Sequence, residues 1–407
     1  MLIFAAKKDM EKNTVPHDEL AAFCALNKVF GYVPSLALRL IEERGSAMAV
    51  FHPPLPELPS IPSRAELSAQ LSGGTLEWAA RELKLVRESG GRFICVADDD
   101  YPQPLLECED RPLGIYLRGS SSPAEIFQLR PMIGFVGTRD LSPYGREWCR
   151  KLVSAIAEAP VRPCIVSGLA YGADAVAHQC ALEFGLPTVG VLPTGIDNVY
   201  PYRHQALADS IVSSPGSALV TDYPTGTAPI PMTFLRRNRI IAGLVSAVVV
   251  VESKSKGGSL MTAKYACGYS RDVFAVPGRL DDERSAGCNS LIANNMAQIV
   301  SSPEELVSRL GLGSGPRYRS PGGSWAVSPH PRPRTLDERL TDKYGEGSVM
   351  RRIGLAVKEH RGITLDELCG QLGLPYSELV SAVITMEMDG VLRTDILRRC
   401  ALTPAYA

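Results

Sequence analysis

Three arginines within four positions, Arg236, Arg237 and Arg239, stand just before a strongly apolar segment of the chain. On a helix, Arg236 and Arg239 would share one face and Arg237 would lie on another. Planar guanidinium groups form paired hydrogen bonds with phosphate oxygens, and the amide of Asn238 lies among them. Phe234, just ahead, offers a ring on which a base can stack. The segment therefore predicts a phosphate-binding site, most simply for a DNA strand.

Structural ion pairs are the alternative role for these arginines. Each could bind a carboxylate such as Asp222, or brace a dimer, instead of holding a ligand. Other basic groups follow further strands of the predicted sheet. Because these groups would gather at one edge, we expect a ligand for the set as a whole.

A second basic loop follows the apolar segment. Lys254 and Lys256 precede Gly257, Gly258 and Ser259, and a helix is predicted to begin there. Free backbone N–H groups, the positive end of a helix dipole and two lysines together suit an anion. The pattern GxxxxGK[ST] is absent, so the sequence does not indicate a P-loop nucleotide hydrolase.

Two earlier strand ends contribute further candidates. Gly137 permits a close approach of the backbone, and Arg139 leaves the strand toward the expected crevice, while Ser167 and Gly168 end the next strand. In open parallel sheets, ligands bind outside the carboxyl ends of the strands. The fingerprint GxGxxG is missing, so a dinucleotide site is not predicted.

The elements that would position these residues form a Rossmann-like α/β domain over residues 130–308. Short, nearly continuous apolar runs alternate there with amphipathic helices, which is typical of a parallel sheet covered by helices on both faces. The predicted strands are MIGFVGTR, CIVSGLA, TVGVLPTG, ALVTDYP, SAVVVVES and DVFAVPG.

Smaller segments flank this domain. Residues 1–62 predict a helical module, similar to SAM or helix-hairpin-helix domains, that ends in a Pro-rich linker. Residues 63–129 predict a helical and extended lead-in to the core. The Gly-, Pro- and Ser-rich residues 309–342 predict a flexible linker.

The last segment, residues 343–407, predicts a winged-helix domain, because a short helix, a turn at Gly373 and a longer helix precede a strand. The longer helix carries Glu378, Glu387 and Asp389 but no Lys or Arg. Helices that read a DNA groove usually present basic or amide side chains. We therefore favour contact with a protein over groove reading, and both alternatives stay open.

Composition limits the function classes. The net charge of −1 excludes a generally basic protein, so nucleic acid would have to bind a local patch. The amino terminus lacks a signal-peptide pattern, and no apolar run is long enough to span a membrane. The cysteines show no zinc spacing, which indicates reduced thiols. We expect a cytosolic protein without a metal or other cofactor.

Catalytic signals are weak. His178 lies inside a predicted helix, His204 follows the sequence YPYR, and GxSxG is absent, so both histidines are expected to be structural. Asp174 and Asp197 are expected to cap helices or bind strand ends. No pairing of carboxylates for acid–base work can be inferred from the spacing.

Six ordered motifs lie between residues 130 and 300. They are VGTRDLSPYG, IVSGLAYGADAVAH, VLPTGIDNVYP, VTDYPTGTAPIPMTFLRRNRIIAGL, VVVVESKSKGGSLMTAKYA and DVFAVPG with GCNSLI. Together they resemble the DNA-processing protein A (DprA/Smf) family. The segment YPQPLLECEDRPLGIYLRG, just upstream, also resembles the family's lead-in.

The resemblance implies a DNA-binding role without catalysis. Such proteins bind single-stranded DNA, including strands imported in natural transformation, displace single-strand-binding protein, load the RecA recombinase and dimerise through the Rossmann-like domain. Arg139 falls on the arginine of the family's GSR-type motif, and residues 256–259 fall on its K-S-G-S-type loop. The F-x-x-R-N-R motif is matched by Phe234, Arg237, Asn238 and Arg239.

The chain departs from the family pattern at several positions. Leu235 replaces a frequent proline, and Gly257 replaces a frequent serine. The residues before Phe234 are neutral where a basic residue is common, which makes Arg236 a candidate substitute. Ala173 replaces a common isoleucine, and LIANNMAQ replaces a Gly-Ala ending. None of these changes removes Arg139 or the Arg-Asn-Arg core.

Two other functions remain alternatives. The fold also resembles the lysine-decarboxylase-like (LOG) phosphoribohydrolases, which carry a PGGxGT-type loop with a catalytic Arg and Glu. This chain has KGGSLMT without a following Glu, so nucleotide hydrolysis is disfavoured. A pure interaction module that acts through the winged helix would leave the arginines unexplained.

Overall fold

The computed structural model describes residues 15–52, 69–313, 336–360, 362–395, 399–403 and 406. The chain divides into two compact units, Met1–Arg319 and Ser320–Ala407. The predicted Pro-rich linker and most of the predicted linker at 309–342 lie outside the described residues. None of the helices in the described ranges combines the length and apolar character needed to cross a lipid bilayer.

A nine-stranded sheet forms the centre of the first unit, in the order β1-β2-β6-β5-β4-β3-β7-β8-β9. Neighbouring strands from β6 to β9 are parallel, whereas β2 pairs antiparallel with both β1 and β6. The strands are β1 (Gly91–Cys95), β2 (Gly114–Arg118), β3 (Met132–Val136), β4 (Cys164–Ser167), β5 (Thr188–Val191), β6 (Ala218–Thr221), β7 (Ala247–Val250), β8 (Asp272–Ala275) and β9 (Gln298–Ile299).

Helices cover both faces of this sheet. They are α1 (His17–Val29), α2 (Pro34–Arg44), α3 (Gly73–Glu88), α4 (Gln103–Leu106), α5 (Pro123–Phe127), α6 (Pro143–Glu158), α7 (Ala173–Glu183), α8 (Gln205–Ser213), α9 (Pro231–Leu244), α10 (Ser259–Gly268), α11 (Ala286–Ala293) and α12 (Pro303–Arg309). Along β7, Val248 and Val250 pack on the side of α9, α10 and α11. Ala247 and Val249 pack on the side of α6, α7 and α12.

The predicted Rossmann-like fold is confirmed, and each of the six predicted apolar runs contains a strand. The runs lack polar alternation because both faces of each strand are buried. Strands β1 and β2 lie in the segment that was predicted only as helical and extended. They form the antiparallel edge that continues the sheet beyond β6.

The amino-terminal helices share a hydrophobic core with this antiparallel edge. Leu26 of α1 and Phe30, which directly follows α1, belong to the same buried cluster as Phe93 of β1 and Tyr116 of β2. The thiol of Cys24 lies 3.4 Å from the hydroxyl of Tyr116. Helix α1 is thus packed against the sheet. The predicted boundaries at residues 62 and 129 stay a prediction.

The second unit contains the short helix, the turn at Gly373, the longer helix and the strand that the sequence predicts. Its elements are α13 (Leu336–Tyr344), α14 (Val349–Glu359), α15 (Leu365–Leu372), α16 (Tyr376–Met388), β10 (Leu392–Thr394) and β11 (Cys400–Leu402). Gly373 ends α15 with a φ of 63°, which glycine adopts without steric cost. The winged-helix assignment stays a prediction.

Two acidic side chains at the end of the longer helix, Glu387 and Asp389, have partners within this unit. The carboxylate of Glu387 accepts a hydrogen bond of 2.6 Å from the backbone N–H of Thr394. Asp389 accepts one of 2.8 Å from the hydroxyl of Tyr344. These contacts help to hold α16 against its own unit, and whether α16 contacts protein or DNA stays open.

A fully buried histidine lies between α7 and the sheet. Nδ1 of His178 lies 2.6 Å from the hydroxyl of Thr188, which itself donates to the carbonyl of Ile165. Because the proton of the Thr188 hydroxyl is engaged in that bond, the hydroxyl oxygen must accept a hydrogen bond from Nδ1–H of His178. Nε2 has no partner among the described residues. Burial, reinforced by the nearby charge of Arg237, lowers the pKa of His178 to about 3.

We expect the stability of the first unit to fall as the pH drops from about 7 to 5. The unfolded chain takes up a proton at His178 near its ordinary pKa of about 6.5, whereas the folded protein does so only near pH 3. Below about pH 6 this one group lowers the free energy of unfolding by up to about 1.4 kcal/mol per pH unit. Urea unfolding at several pH values measures this slope. His178→Gln should flatten the slope over this range, and an unchanged slope in the variant would contradict the assignment.

Candidate functional site

A cleft of about 770 Å³ opens at the carboxyl ends of β3 and β7. The helices that follow these two neighbouring strands, α6 and α10, lie on opposite faces of the sheet. Such a topological switch leaves a crevice outside the strand ends. Charged, aromatic and amide side chains on the cleft wall are Arg139, Asp174, Tyr200, Phe234, Arg237, Asn238, Lys254, Lys256 and Glu283.

Close backbone packing under the cleft explains two of the predicted glycines. A Cβ atom at Gly137 would lie 2.6 Å from the Cβ of Ala173 and 3.0 Å from the carbonyl oxygen of Glu252. A Cβ atom at Gly168 would lie 1.9 Å from Nη1 of Arg237. Both glycines make room for groups that shape the cleft, and only Gly137 lines it.

Arg237 is a buried cation at the base of the cleft. Its Nη1 donates hydrogen bonds of 2.6 Å to the carbonyl oxygens of Gly168 and Val191. Burial lowers its pKa to about 10, while Asp174 opposes that shift, so the guanidinium stays charged at neutral pH. Among the described residues, no carboxylate lies within ion-pair distance of it. Its charge therefore favours an anion in the cleft.

Asp174 lies beside this cation but is engaged elsewhere. Its carboxylate accepts hydrogen bonds from the backbone N–H groups of Gly168, at 3.1 Å, and Ala170, at 3.4 Å. Burial raises the pKa of Asp174, and the charge of Arg237 counteracts the rise. Ser167 is also internal, because its hydroxyl donates to the carbonyl oxygen of Phe135 at 2.5 Å. These contacts fix the end of β4 beneath the cleft.

Arg236 and Arg239 do not line the cleft. Both donate to the same buried oxygen of Asp222, at 3.1 and 2.5 Å respectively. Arg236 also donates to the carbonyl oxygen of Gly31, and Arg239 to that of Asp110. The pairing with Asp222 matches the structural alternative raised by the sequence. We therefore revise the prediction that these two arginines hold phosphate and assign them as internal braces.

Arg236 ties the amino-terminal helices to the start of α9. Its guanidinium lies 4.5 Å from the ring centroid of Tyr32, in the loop between α1 and α2. A second tie comes from α1, where the amide of Asn27 donates to the backbone carbonyl of Asp222 at 3.0 Å. Asp222 thus joins α1, the α1–α2 loop and α9 at one point.

Arg139 and Phe234 meet at the mouth of the cleft. The guanidinium of Arg139 lies 4.9 Å from the ring centroid of Phe234, and the exposed Arg139 side chain can turn toward a ligand. The ring of Tyr200 meets Phe234 edge-on at 5.4 Å. A cation and two aromatic rings thus lie together, which suits a ligand that carries both phosphate and a flat ring.

The basic loop before α10 forms the opposite wall. Lys254 and Lys256 are exposed there. The amide of Asn238 donates to the carbonyl oxygen of Gly258 at 3.2 Å and so ties this loop to α9. Lys254 forms an ion pair of 3.1 Å with Glu283, whose side chain is itself exposed. A ligand phosphate could replace this carboxylate at low cost, because exposed ion pairs are weak.

Sequence reasoning missed two residues of the site. Tyr200 follows β5 in a turn whose Gly, Asp and Pro content drew no binding prediction. Glu283 is far from Lys254 in sequence, so only the fold shows their contact. The position of Tyr200 after a strand end was the one available signal, because ligands collect at that edge.

Sequence comparison relates this chain to proteins of one family. The sequence profile of a family described as DNA recombination-mediator protein A matches residues 92–311. The Smf protein of Synechocystis is 38% identical over 225 residues, which are 55% of this chain and 55% of that protein. The Smf protein of Escherichia coli is 37% identical over 255 residues, which are 60% of this chain and 66% of that protein. The matched region therefore spans less than two thirds of each of these relatives.

A solved structure shows the same architecture. The X-ray structure of DNA processing protein A (DprA) from Streptococcus pneumoniae has 28% sequence identity to this chain and a TM-score of 0.55. The similarity covers 71% of this chain and 95% of that one.

We expect Arg236→Ala to loosen the amino-terminal helices and to lower the free energy of unfolding by about 2 kcal/mol, because the buried Asp222 and the Gly31 carbonyl lose a charged donor. Hydrogen–deuterium exchange should rise in α1 and α2 relative to the sheet. Arg279→Ala removes an equal charge from an exposed ion pair with Asp281 and serves as the control. Unchanged exchange in α1 and α2 would show that Arg236 is not a brace.

Proposed function

The chain belongs to the family of DNA recombination-mediator protein A, and from this premise we propose that it binds single-stranded DNA in the cleft between β3 and β7. The observation that carries the proposal is the contact of Arg139 with Phe234, opposite two exposed lysines. Guanidinium and ammonium groups bind phosphates, and the aromatic ring accepts the face of an unpaired base.

The shape of the cleft favours a single strand over a duplex. A volume of about 770 Å³ lies in the range of pockets that enclose a small ligand, which suits a nucleotide unit. Phe234 lines that space, and only an unpaired base can present its face to the ring. Paired bases in a duplex are stacked on one another and would have to flip out first.

Cations of two kinds support binding. Arg237 is held by two carbonyl oxygens and supplies a fixed positive charge. Arg139, Lys254 and Lys256 are exposed and can follow a flexible backbone. This arrangement binds phosphates without reading sequence, as expected of a protein that must accept any strand.

We extend the proposal to a mediator role. The protein would protect incoming or exposed single strands, displace single-strand-binding protein and load RecA, in natural transformation or general recombination. It would act as a homodimer formed through the Rossmann-like domain, and by binding rather than catalysis. Family membership supports this part of the proposal.

We expect Arg139→Ala and Lys256→Ala each to weaken binding of a labelled oligothymidylate, by about tenfold for Arg139→Ala, because each removes a charge-assisted contact with phosphate. Each should also reduce the slope of log K against log salt by about 0.7. Fluorescence anisotropy at several salt concentrations measures both effects, with duplex of equal length for comparison. Arg279→Ala, outside the cleft, is the matched control.

If both variants fold and bind the oligothymidylate normally, the single strand must bind outside this cleft. Absence of binding to any single strand would reject the proposed function. Hydrolysis of a nucleoside monophosphate would then be the next assay, because the LOG-type enzymes bind that ligand at the same strand ends.

We expect Glu283→Gln to tighten single-strand binding by about two- to fivefold, because the variant releases Lys254 from an exposed ion pair. Asp281→Asn, in the same loop, removes an equal charge whose partner is Arg279 and should change affinity less. The same anisotropy titration at low salt compares the two. Equal effects of both variants would mean that only overall charge matters.

A further inference from the structure

Three tyrosines lie exposed on the loops that leave β4 and β5, at the edge of the sheet where the cleft opens. Their exposed fractions are 42% for Tyr171, 41% for Tyr200 and 82% for Tyr202. Aromatic side chains that cluster on a surface usually mark a place of binding. Tyr171 and Tyr202 belong to none of the hydrophobic clusters that pack the sheet, which leaves their rings accessible to a ligand.

The two loops are joined through a histidine. His204 and Tyr202 lie in one 3₁₀ turn, Tyr202–His204. The ring of His204 meets the ring of Tyr171 edge-on at 4.9 Å. Nδ1 of His204 lies 2.8 Å from the carbonyl oxygen of Leu169 and must donate, because a carbonyl only accepts. These contacts hold the ring of Tyr171 in place, so a ligand need not order that ring on binding.

This surface is continuous with the cleft. Tyr200 lines the cleft, contacts Phe234 and stands two residues before Tyr202. Ala170 also lines the cleft and directly precedes Tyr171. Tyr171 and Tyr202 thus follow closely in sequence on residues of the cleft wall, on the loops that leave β4 and β5.

We propose that Tyr171 and Tyr202 form a second stacking platform for bases of the DNA strand that leaves the cleft. The inference rests on the proposed function, because it concerns the same strand. Arg203, exposed in the turn between Tyr202 and His204, supplies a cation for the backbone at this point. Stacking accepts every base, since every base has a flat face, so the platform would lengthen the bound segment without adding sequence preference.

The length of the DNA strand distinguishes the contribution of the platform from that of the cleft. We expect the double variant Tyr171→Ala with Tyr202→Ala to bind an oligothymidylate of about 20 nucleotides at least about fivefold more weakly than the unchanged protein. An oligothymidylate of about 5 nucleotides, which the cleft alone can hold, should bind both proteins equally. Arg139→Ala should weaken binding of both lengths. The double variant Tyr171→Phe with Tyr202→Phe keeps both rings and should bind the long strand as tightly as the unchanged protein.

Photo-crosslinking gives a readout that folding defects cannot imitate. A long strand carrying 5-iododeoxyuridine at single positions should crosslink to Tyr202, and peptide mass spectrometry locates the modified residue. Crosslinks to Tyr202 should appear only when the labelled base lies beyond the segment held by the cleft.

The outcomes distinguish the two proposals. Unchanged affinity of the Ala double variant for the long strand, with weakened binding by Arg139→Ala, would overturn the platform and leave the cleft in place. The same result together with loss of self-association in sedimentation would assign the tyrosines to a contact between copies of the chain. Failure of the unchanged protein to bind either length would overturn both proposals.

Discussion

The carboxylate of Asp222 is the contact on which the arrangement of the site depends. Asp222 lies just after β6, and its carboxylate forms ion pairs with both Arg236 and Arg239. The backbone carbonyl of Asp222 accepts a hydrogen bond from the side-chain amide of Asn27. A buried carboxylate needs charged partners, and removing one partner of such a pair costs several kcal/mol. Asp222 therefore fixes the first turns of α9. Because Phe234, Arg237 and Asn238 stand on the same turns, it also fixes what faces the cleft.

The site separates rigid groups from groups that can move. Arg237 and Asp174 are buried beneath the cleft and bonded to backbone atoms, so their charges are set before a ligand arrives. Arg139 and the two lysines lie at the surface, where their side chains can follow a strand. A preorganised base favours affinity because less order is lost on binding. In the proposed complex, flexible cations at the rim would hold the backbone of a strand of any sequence.

The sequence predicted the strands well because their apolar runs are local and buried on both faces. It could not place β1 and β2, since their pairing with β6 depends on residues that are distant in the chain. For the arginines, helical spacing correctly put Arg236 and Arg239 on one face, where both reach Asp222. Spacing cannot show which face a cleft occupies, because that depends on how α9 packs. The contact between Lys254 and Glu283 was hidden for the same reason.

The narrow space between β4 and α9 also limits which residue position 168 can accept. Any side chain at position 168 would place its first carbon 1.9 Å from the guanidinium of Arg237, and that guanidinium is anchored on the carbonyl of Gly168 itself. A larger residue at 168 would push the Arg237 guanidinium away from the carbonyl oxygens of Gly168 and Val191, and the buried charge would then lose its fixed place. The absence of a side chain at position 168 is therefore part of what keeps the positive charge of Arg237 fixed beneath the cleft.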